Sequence, residues 1–319
     1  MAHLIETMAY TGQTPWHGLG HSLPANRSVE EWIHAAGMNW NIEDSPVQFK
    51  ADKHQHLNEL RTSSNHKVLY RSDTKAALSV VGKQYKVVQP REILGFYRDL
   101  TEQSGFELET AGVLKDGKKL WALARTGQSA ELKGRDTING YLLLATACDG
   151  SMATTAQFTS VRVVCNNTLS IATANNSGAV KVPHRSAFNP DTVKQQLGAS
   201  VSNWDNFSDQ MVELSRRKLT DKEAHHYLSR LLNQNALGVS DKTKVRNIGA
   251  MMNLYLGNGM GASLPSAANT AFGLLNAVTQ YVDHEQRARS QDNRLNSAWF
   301  GQGAKFKNRA FENALLLTA

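Results

Sequence analysis

Arg162 is the one charged residue in the string Val161-Arg162-Val163-Val164. On a strand it shares a face with Val164 and opposes Val161 and Val163. Two chemistries fit such a placement. One is a cation held on a rigid sheet for a phosphate. The other is a buried structural ion pair. The residue types alone leave both open. Further cations recur at strand ends and tips: Lys83 and Lys86 in GKQYKVV, Lys115, Lys118 and Lys119 in LKDGKKL, and Arg125 beyond them. Near the C-terminus, QRARSQDNRLNSAWFGQGAKFKNRA sets Arg287, Arg289, Arg294, Lys305, Lys307 and Arg309 around Trp299 and Phe300. Cations neutralise a phosphate backbone and aromatic rings stack on bases, so this mixture suits single-stranded nucleic acid. The candidate DNA-binding residues are therefore Lys83, Lys86, Lys115, Lys118, Lys119, Arg125 and Arg162. Lys305, Lys307 and Arg309 form a second candidate surface. A solvated basic helix with two core aromatics accounts for the same C-terminal spacing.

Other chemistries find little support. The chain has no nucleophile elbow, Ser-His-Asp order, HExxH, CxxC pair, EF-hand or kinase signature. His54, His56 and His66 lack a Cys or carboxylate cluster at ligand spacing, so no metal is expected. Gly257, Gly259 and Gly261 follow a helix instead of a strand, and no lysine completes a P-loop. They read as a helix stop and flexible loop. Trp16-His17 reads as part of a packed N-terminal arm, with a catalytic pair or base stacking as the alternatives. Asp149 reads as a turn residue. No cofactor and no reaction are expected, which weighs against an enzyme.

The elements that must position these residues follow from pattern. Tyr141–Cys148 and Thr154–Cys165 form a hairpin turning at Asp149-Gly150. Asn166-Asn167-Thr168 offers caps for a short helix over 169–174. Ser28 caps a helix ending at Gly37, with Glu31 completing a capping box. Asn39–Lys50 reads as a strand interrupted at Pro46, and Ala51–Asn65 as an exposed loop or hairpin tip. Lys67–Arg71 and Ser79–Val88 read as strands, and Pro90–Gly105 as one helix. Phe106–Leu114 and Lys119–Thr126 make a second hairpin around Lys115-Asp116-Gly117-Lys118. Beyond Asn189 the periodicity becomes helical. One or two helices fill 190–217, and Thr220 caps the next. Others cover 242–256, 269–289 and 304–317. The expected fold class is α+β: an antiparallel β-sheet with packed helices over 1–185, then a mainly helical region over 186–319.

The bulk figures set the frame. The 319 residues carry 35 Lys+Arg against 28 Asp+Glu, a formal charge of +7 that mildly favours a polyanionic partner. Hydrophobic residues make 41% and charged residues 20%, the proportions of a globular chain. No apolar run reaches the roughly 18 residues a bilayer span needs. No basic region precedes an apolar core as in a signal peptide. The only cysteines, Cys148 and Cys165, lie in apolar strand strings and are expected to be buried and unbridged. A cytoplasmic location in a bacterial host cell is expected.

Several strings together resemble a known group. They are Trp16-His17-Gly18-Leu19-Gly20, Val161-Arg162-Val163-Val164-Cys165-Asn166-Asn167-Thr168-Leu169, Asn276-Ala277-Val278-Thr279, Asp283-His284 and Ser297-Ala298-Trp299-Phe300-Gly301. In combination they resemble the phage/plasmid-like family called domain of unknown function 932. That resemblance implies a mobile-element protein acting near replication, recombination or host defence, and it supplies no catalytic residue. In outline the chain is also similar to single-strand annealing proteins, which include Red-beta, Erf and the eukaryotic Rad fifty-two protein. That similarity implies ATP-independent binding and annealing of single-stranded DNA by a homo-oligomer, a ring being one form. A non-enzymatic interaction or anti-defence protein and an undetected nucleic-acid-processing enzyme stand as alternatives.

Overall fold

In a computed structural model of the chain, the residues described are 5–12, 20–50, 60–103, 105–162, 164, 167–171, 179–201, 203–234 and 240–318. Trp16, His17, His54, His56 and Cys165 lie outside them. The fold is α+β, with antiparallel sheets and with helices mostly in the C-terminal half. The chain divides into two compact units. The first comprises Met1–Thr126, Leu142–Gln157 and Ala179–Leu197; the second comprises Gly127–Tyr141, Phe158–Gly178 and Gly198–Ala319.

The first unit begins with β1 (Ile5–Thr11) and β2 (His21–Leu23), which pair in parallel. Helix α1 (Val29–Ala35) follows. Ser28 Oγ accepts from the Glu31 amide, and the Glu31 carboxylate accepts from the Ser28 amide, the expected reciprocal cap. Strands β3 (Ile42–Lys50), β4 (Leu60–Arg71) and β5 (Ala77–Gly82) form an antiparallel sheet of their own. Its register shifts between Pro46 and Gln48, because proline has no N–H for the ladder. Residues 60–65, expected in a loop, belong to β4. The strand expected to run on to Val88 ends at Gly82, where the Tyr85 amide donates to the Gly82 carbonyl.

The helix expected over 90–105 is two short ones, α2 (Pro90–Gly95) and α3 (Arg98–Gln103). Tyr97 lies between them, fully buried, and its hydroxyl donates to the Ala122 and Leu142 carbonyls at 2.8 and 3.0 Å. That anchor interrupts what the pattern alone reads as continuous. Strand β6 (Glu107–Leu114) turns into β7 (Lys119–Leu132), with Lys115, Asp116 and Gly117 at φ of 56°, 56° and 93°. Strands β8 (Asp136–Ala147) and β9 (Thr154–Arg162) form the hairpin turning at Asp149-Gly150. Of β7, β8 and β9, residues 119–126, 142–147 and 154–157 belong to this unit. Strand β11 (Ala179–Val182) pairs with β9 over Thr154–Gln157.

The second unit holds residues 127–132, 136–141 and 158–162 of β7, β8 and β9. Strand β10 (Asn167–Ser170) pairs with β9 over Thr159–Arg162. The pattern expects a helix from Leu169, and the ladder overrides that local preference. Strand order in the larger sheet is β10-β9-β8-β7-β6-β1-β2, with β11 also on β9. The helical stretch begins with α4 (Pro190–Val201), most of it counted in the first unit, and α5 (Asn203–Arg216). Next come α6 (Asp221–Asn233), capped by Thr220 and Glu223, and α7 (Asp241–Asn253). A π-turn at Leu254–Asn258 leads through the glycine-rich loop to α8 (Ala271–Gln280). A second π-turn at Tyr281–Glu285 ends the helix that the pattern carries to Arg289. Then come α9 (Gln291–Phe300) and α10 (Gln302–Leu315). Every residue of α8 is buried, so α8 is the core helix of this unit. A Cβ on Gly273 would stand 2.0 Å from the Ala267 carbonyl oxygen, so only glycine allows that approach.

Candidate nucleic-acid interface

In the first unit the chain segments around residues 83–86 and 184–185 build one polar surface. The Lys83 amide donates to the Asn65 carbonyl at 2.9 Å, fixing the exit from β5. The Lys86 amide donates to the His184 carbonyl at 2.5 Å, bringing residues 98 apart in sequence together. Tyr85 and His184 stack, with centroids 4.4 Å apart and planes 14° apart. The Tyr85 hydroxyl donates to the Ala147 carbonyl at 2.7 Å, and burial keeps its pKa well above the ordinary tyrosine value. Both rings are half-buried, so each keeps some surface toward solvent. Lys83, Lys86, Lys181 and Arg185 are exposed, and none of the four has an ion-pair partner among the described residues. The arrangement is a stacked ring pair on segments that also carry exposed cations.

The rest of the expected set in this unit is less available. Lys115 and Lys118 are half-buried at the β6–β7 turn. Arg125 is exposed, but its Nη2 sits 2.9 Å from Glu109 Oε2, which offsets its charge. Lys119 is only 5% exposed and is corrected to an interior residue. Cys148 is buried, and burial raises its thiol to about 12, so it is an inert thiol.

In the second unit the expectation for Arg162 resolves to the ion pair. Arg162 is 3% exposed. Its Nε stands 2.9 Å from Asp136 Oδ1 and its Nη2 stands 2.6 Å from Asp136 Oδ2, a bidentate pair. Nη1 and Nη2 also donate to the Met260 and Gly261 carbonyls at 3.3 and 3.0 Å. Ser266 Oγ donates to Asp136 Oδ2 at 2.5 Å, and the guanidinium lies 5.1 Å from the Phe272 ring centre. Every one of these partners fixes the glycine-rich loop or the core, so Arg162 is corrected from a phosphate ligand to a structural cation. Burying a guanidinium demands such a partner set.

Lys307 is corrected in the same way. It is 2% exposed, with Nζ 2.5 Å from Asp283 Oδ1 and 2.6 Å from Thr168 Oγ1. Burial lowers its pKa, against the opposing pull of Asp283. Asp283 Oδ2 accepts from the Thr168 amide and hydroxyl at 2.8 and 3.1 Å. Lys305 is exposed, two residues away on the same helix. Arg309 is half-buried, and its Nη1 donates to the Gln234 carbonyl at 3.1 Å. Trp299 and Phe300 pack edge-on, centroids 6.1 Å apart, and both are half-buried. Of Lys305, Lys307 and Arg309, Lys305 is the exposed cation, and Arg287 and Arg289 before them are exposed as well.

Four of the strings that carry the family resemblance meet in this unit. Asn167 Nδ2 donates to the Asn276 carbonyl at 3.1 Å, Thr168 binds Asp283, and Ser297 Oγ accepts from the Gly303 amide. Arg162, Asn167, Thr168, Asn276 and Thr279 line one small hollow, into whose wall Phe272 also packs. The motif residues thus tie β9 and β10 to α8 and the π-turn after it.

Sequence reasoning missed Asp136, Asp283, Tyr85, His184 and Arg185. An arginine among valines asks for a carboxylate, and that signal pointed to a partner without saying which. His184-Arg185 follows a proline in a short polar stretch, and nothing local links it to Lys86. Among the described residues, no three His, Cys, Asp or Glu side chains gather as a metal-holding cluster, and no helix is long and apolar enough to cross a membrane.

These features define an α+β protein with two buried, neutralised cations, Arg162 and Lys307, in one unit and a stacked ring pair with exposed cations on its segments in the other. The chain belongs to the DUF932 family, a domain of unknown function, whose model matches residues 77–299. No curated protein and no solved structure matches it.

Proposed function

We propose that this protein is a mobile-element DNA-binding protein that holds and anneals single strands in recombination without consuming ATP. The observation that carries the reading is the surface of the first unit. Lys83, Lys86, Lys181 and Arg185 are exposed on the segments that carry the Tyr85–His184 stack. Cations track a phosphate backbone and rings accept bases, and neither reads sequence. Lys115 and Lys118 extend the cationic character of the same unit, and Lys305 is a second contact in the other unit. Annealing requires many subunits to hold one strand, so the working form is a homo-oligomer, with a ring as one form.

Fluorescence anisotropy with single-stranded and duplex oligonucleotides at two salt concentrations tests the reading. The expected result is tighter binding of the single strand, weakening as salt rises. Light scattering should give a multimer, with or without DNA. A salt-independent or absent affinity would favour an interaction or anti-defence protein instead.

A further inference from the structure

His184 faces a backbone carbonyl with each ring nitrogen. Nδ1 is 2.9 Å from the Lys86 carbonyl oxygen, and Nε2 is 3.2 Å from the Met152 carbonyl oxygen. Carbonyl oxygens only accept hydrogen bonds. A neutral imidazole carries one N–H, so it satisfies one of these contacts and sets a lone pair against the other oxygen. The imidazolium carries two and satisfies both. We infer that His184 acts as an imidazolium clasp, so that protonation both closes the segments around Lys86, Met152 and His184 and adds a positive charge to the DNA-binding surface. The inference rests on the DNA-binding reading of that surface.

The charged groups on the segments that carry the ring and its partners are Lys83 and Lys86 on the 83–86 segment, Lys181 on β11, Arg185 after the ring and Asp149 on the β8–β9 turn. Cys148 on that turn is held as a neutral thiol by burial. The stacked Tyr85 keeps its proton as well, since burial raises its pKa. A bound phosphate backbone adds negative charge and tips the balance toward the imidazolium. With the clasp, binding DNA takes up a proton, and affinity falls as pH rises.

The experiment is a titration of single-stranded oligo(dT) at fixed ionic strength, from pH 5.5 to 8.5, on the whole protein. Wild type should lose affinity with rising pH by up to about tenfold per unit, the limit for one linked proton. His184→Gln should bind with a flat profile, and His66→Gln, an exposed histidine of the same unit, should keep the slope. Affinity that is present but flat in wild type, or a slope that survives in His184→Gln, would overturn the clasp and leave the DNA-binding reading standing. Absence of affinity at every pH would instead remove the DNA-binding reading. Nitrogen-15 spectra of labelled histidine give a readout that does not need the variant. A His184 signal that stays a neutral tautomer on DNA addition near pH 7 also overturns the clasp.

Discussion

Two sets of cations, one from each unit, are held in opposite ways. In the second, Arg162 and Lys307 sit at 3% and 2% exposure, each on a carboxylate. In the first, Lys83, Lys86 and Arg185 stand in solvent, each within two residues of a stacked ring pair. A buried cation can act only through partners that neutralise it, so it serves the fold. An exposed cation keeps its field for a ligand, since water and salt are all it must give up. A charge in an apolar string is therefore poor evidence of a binding site, however sharply it stands out.

The contrast breaks most visibly at Asp136. Asp136→Ala strands a buried guanidinium, and the expected loss is about 3–5 kcal/mol in chemical denaturation. DNA affinity of whatever fraction remains folded should not change. Asp283→Ala should act in the same direction at Lys307, because it leaves an ammonium in the core. Replacing both partners, as Asp283→Leu with Lys307→Met, should recover most of that loss, since two apolar groups leave no charge unpaired. A double variant no more stable than the single would show that Thr168, not the charge pair, holds this point.

The exposed set should respond in reverse. Lys83→Ala, Lys86→Ala and Arg185→Ala should each reduce the single-strand salt slope by roughly 0.7. Each should leave stability within about 0.5 kcal/mol of wild type. Arg162→Ala should lower the melting temperature instead. A variant of Lys83 or Lys86 that melts early while binding normally would erase the distinction between the units.

Smaller effects sharpen the picture at single groups. Cys148 should resist alkylation in the native protein at neutral pH and react fully in denaturant, because burial holds its thiol at about 12. Asp73 is lowered from 3.8 to about 2, chiefly by its hydrogen bond to Arg71. Its folded pKa lies below its unfolded one, so its contribution is present above pH 3.8 and is lost as pH falls toward 2. Asp73→Asn should flatten the acid-unfolding curve in that window by a small amount, since the carboxylate is partly exposed.

Much of the architecture was legible in the order of residues. Ser28 with Glu31 and Thr220 with Glu223 are capping boxes, and both helices start there because the reciprocal bonds are local. Asp149-Gly150 and Lys115–Lys118 turn two hairpins because Gly150 in one, and Lys115, Asp116 and Gly117 in the other, take positive φ. The change from alternating strings to helical spacing placed most helices in the C-terminal half.

What depended on distant partners was not legible. Leu169 lies in a strand and not a helix because β9 supplies a ladder edge. The stretch from Pro90 splits because Tyr97 reaches carbonyls of Ala122 and Leu142. Arg162 became structural because Asp136 faces it from the neighbouring strand. The Tyr85–His184 stack joins residues that no local pattern relates. Local hydrogen bonding and periodicity are written along the chain, so the sequence by itself determined the elements and their caps. Burial and charge pairing are properties of surfaces that meet only after folding, so the tertiary structure alone decided which cations were buried and which remained free to bind.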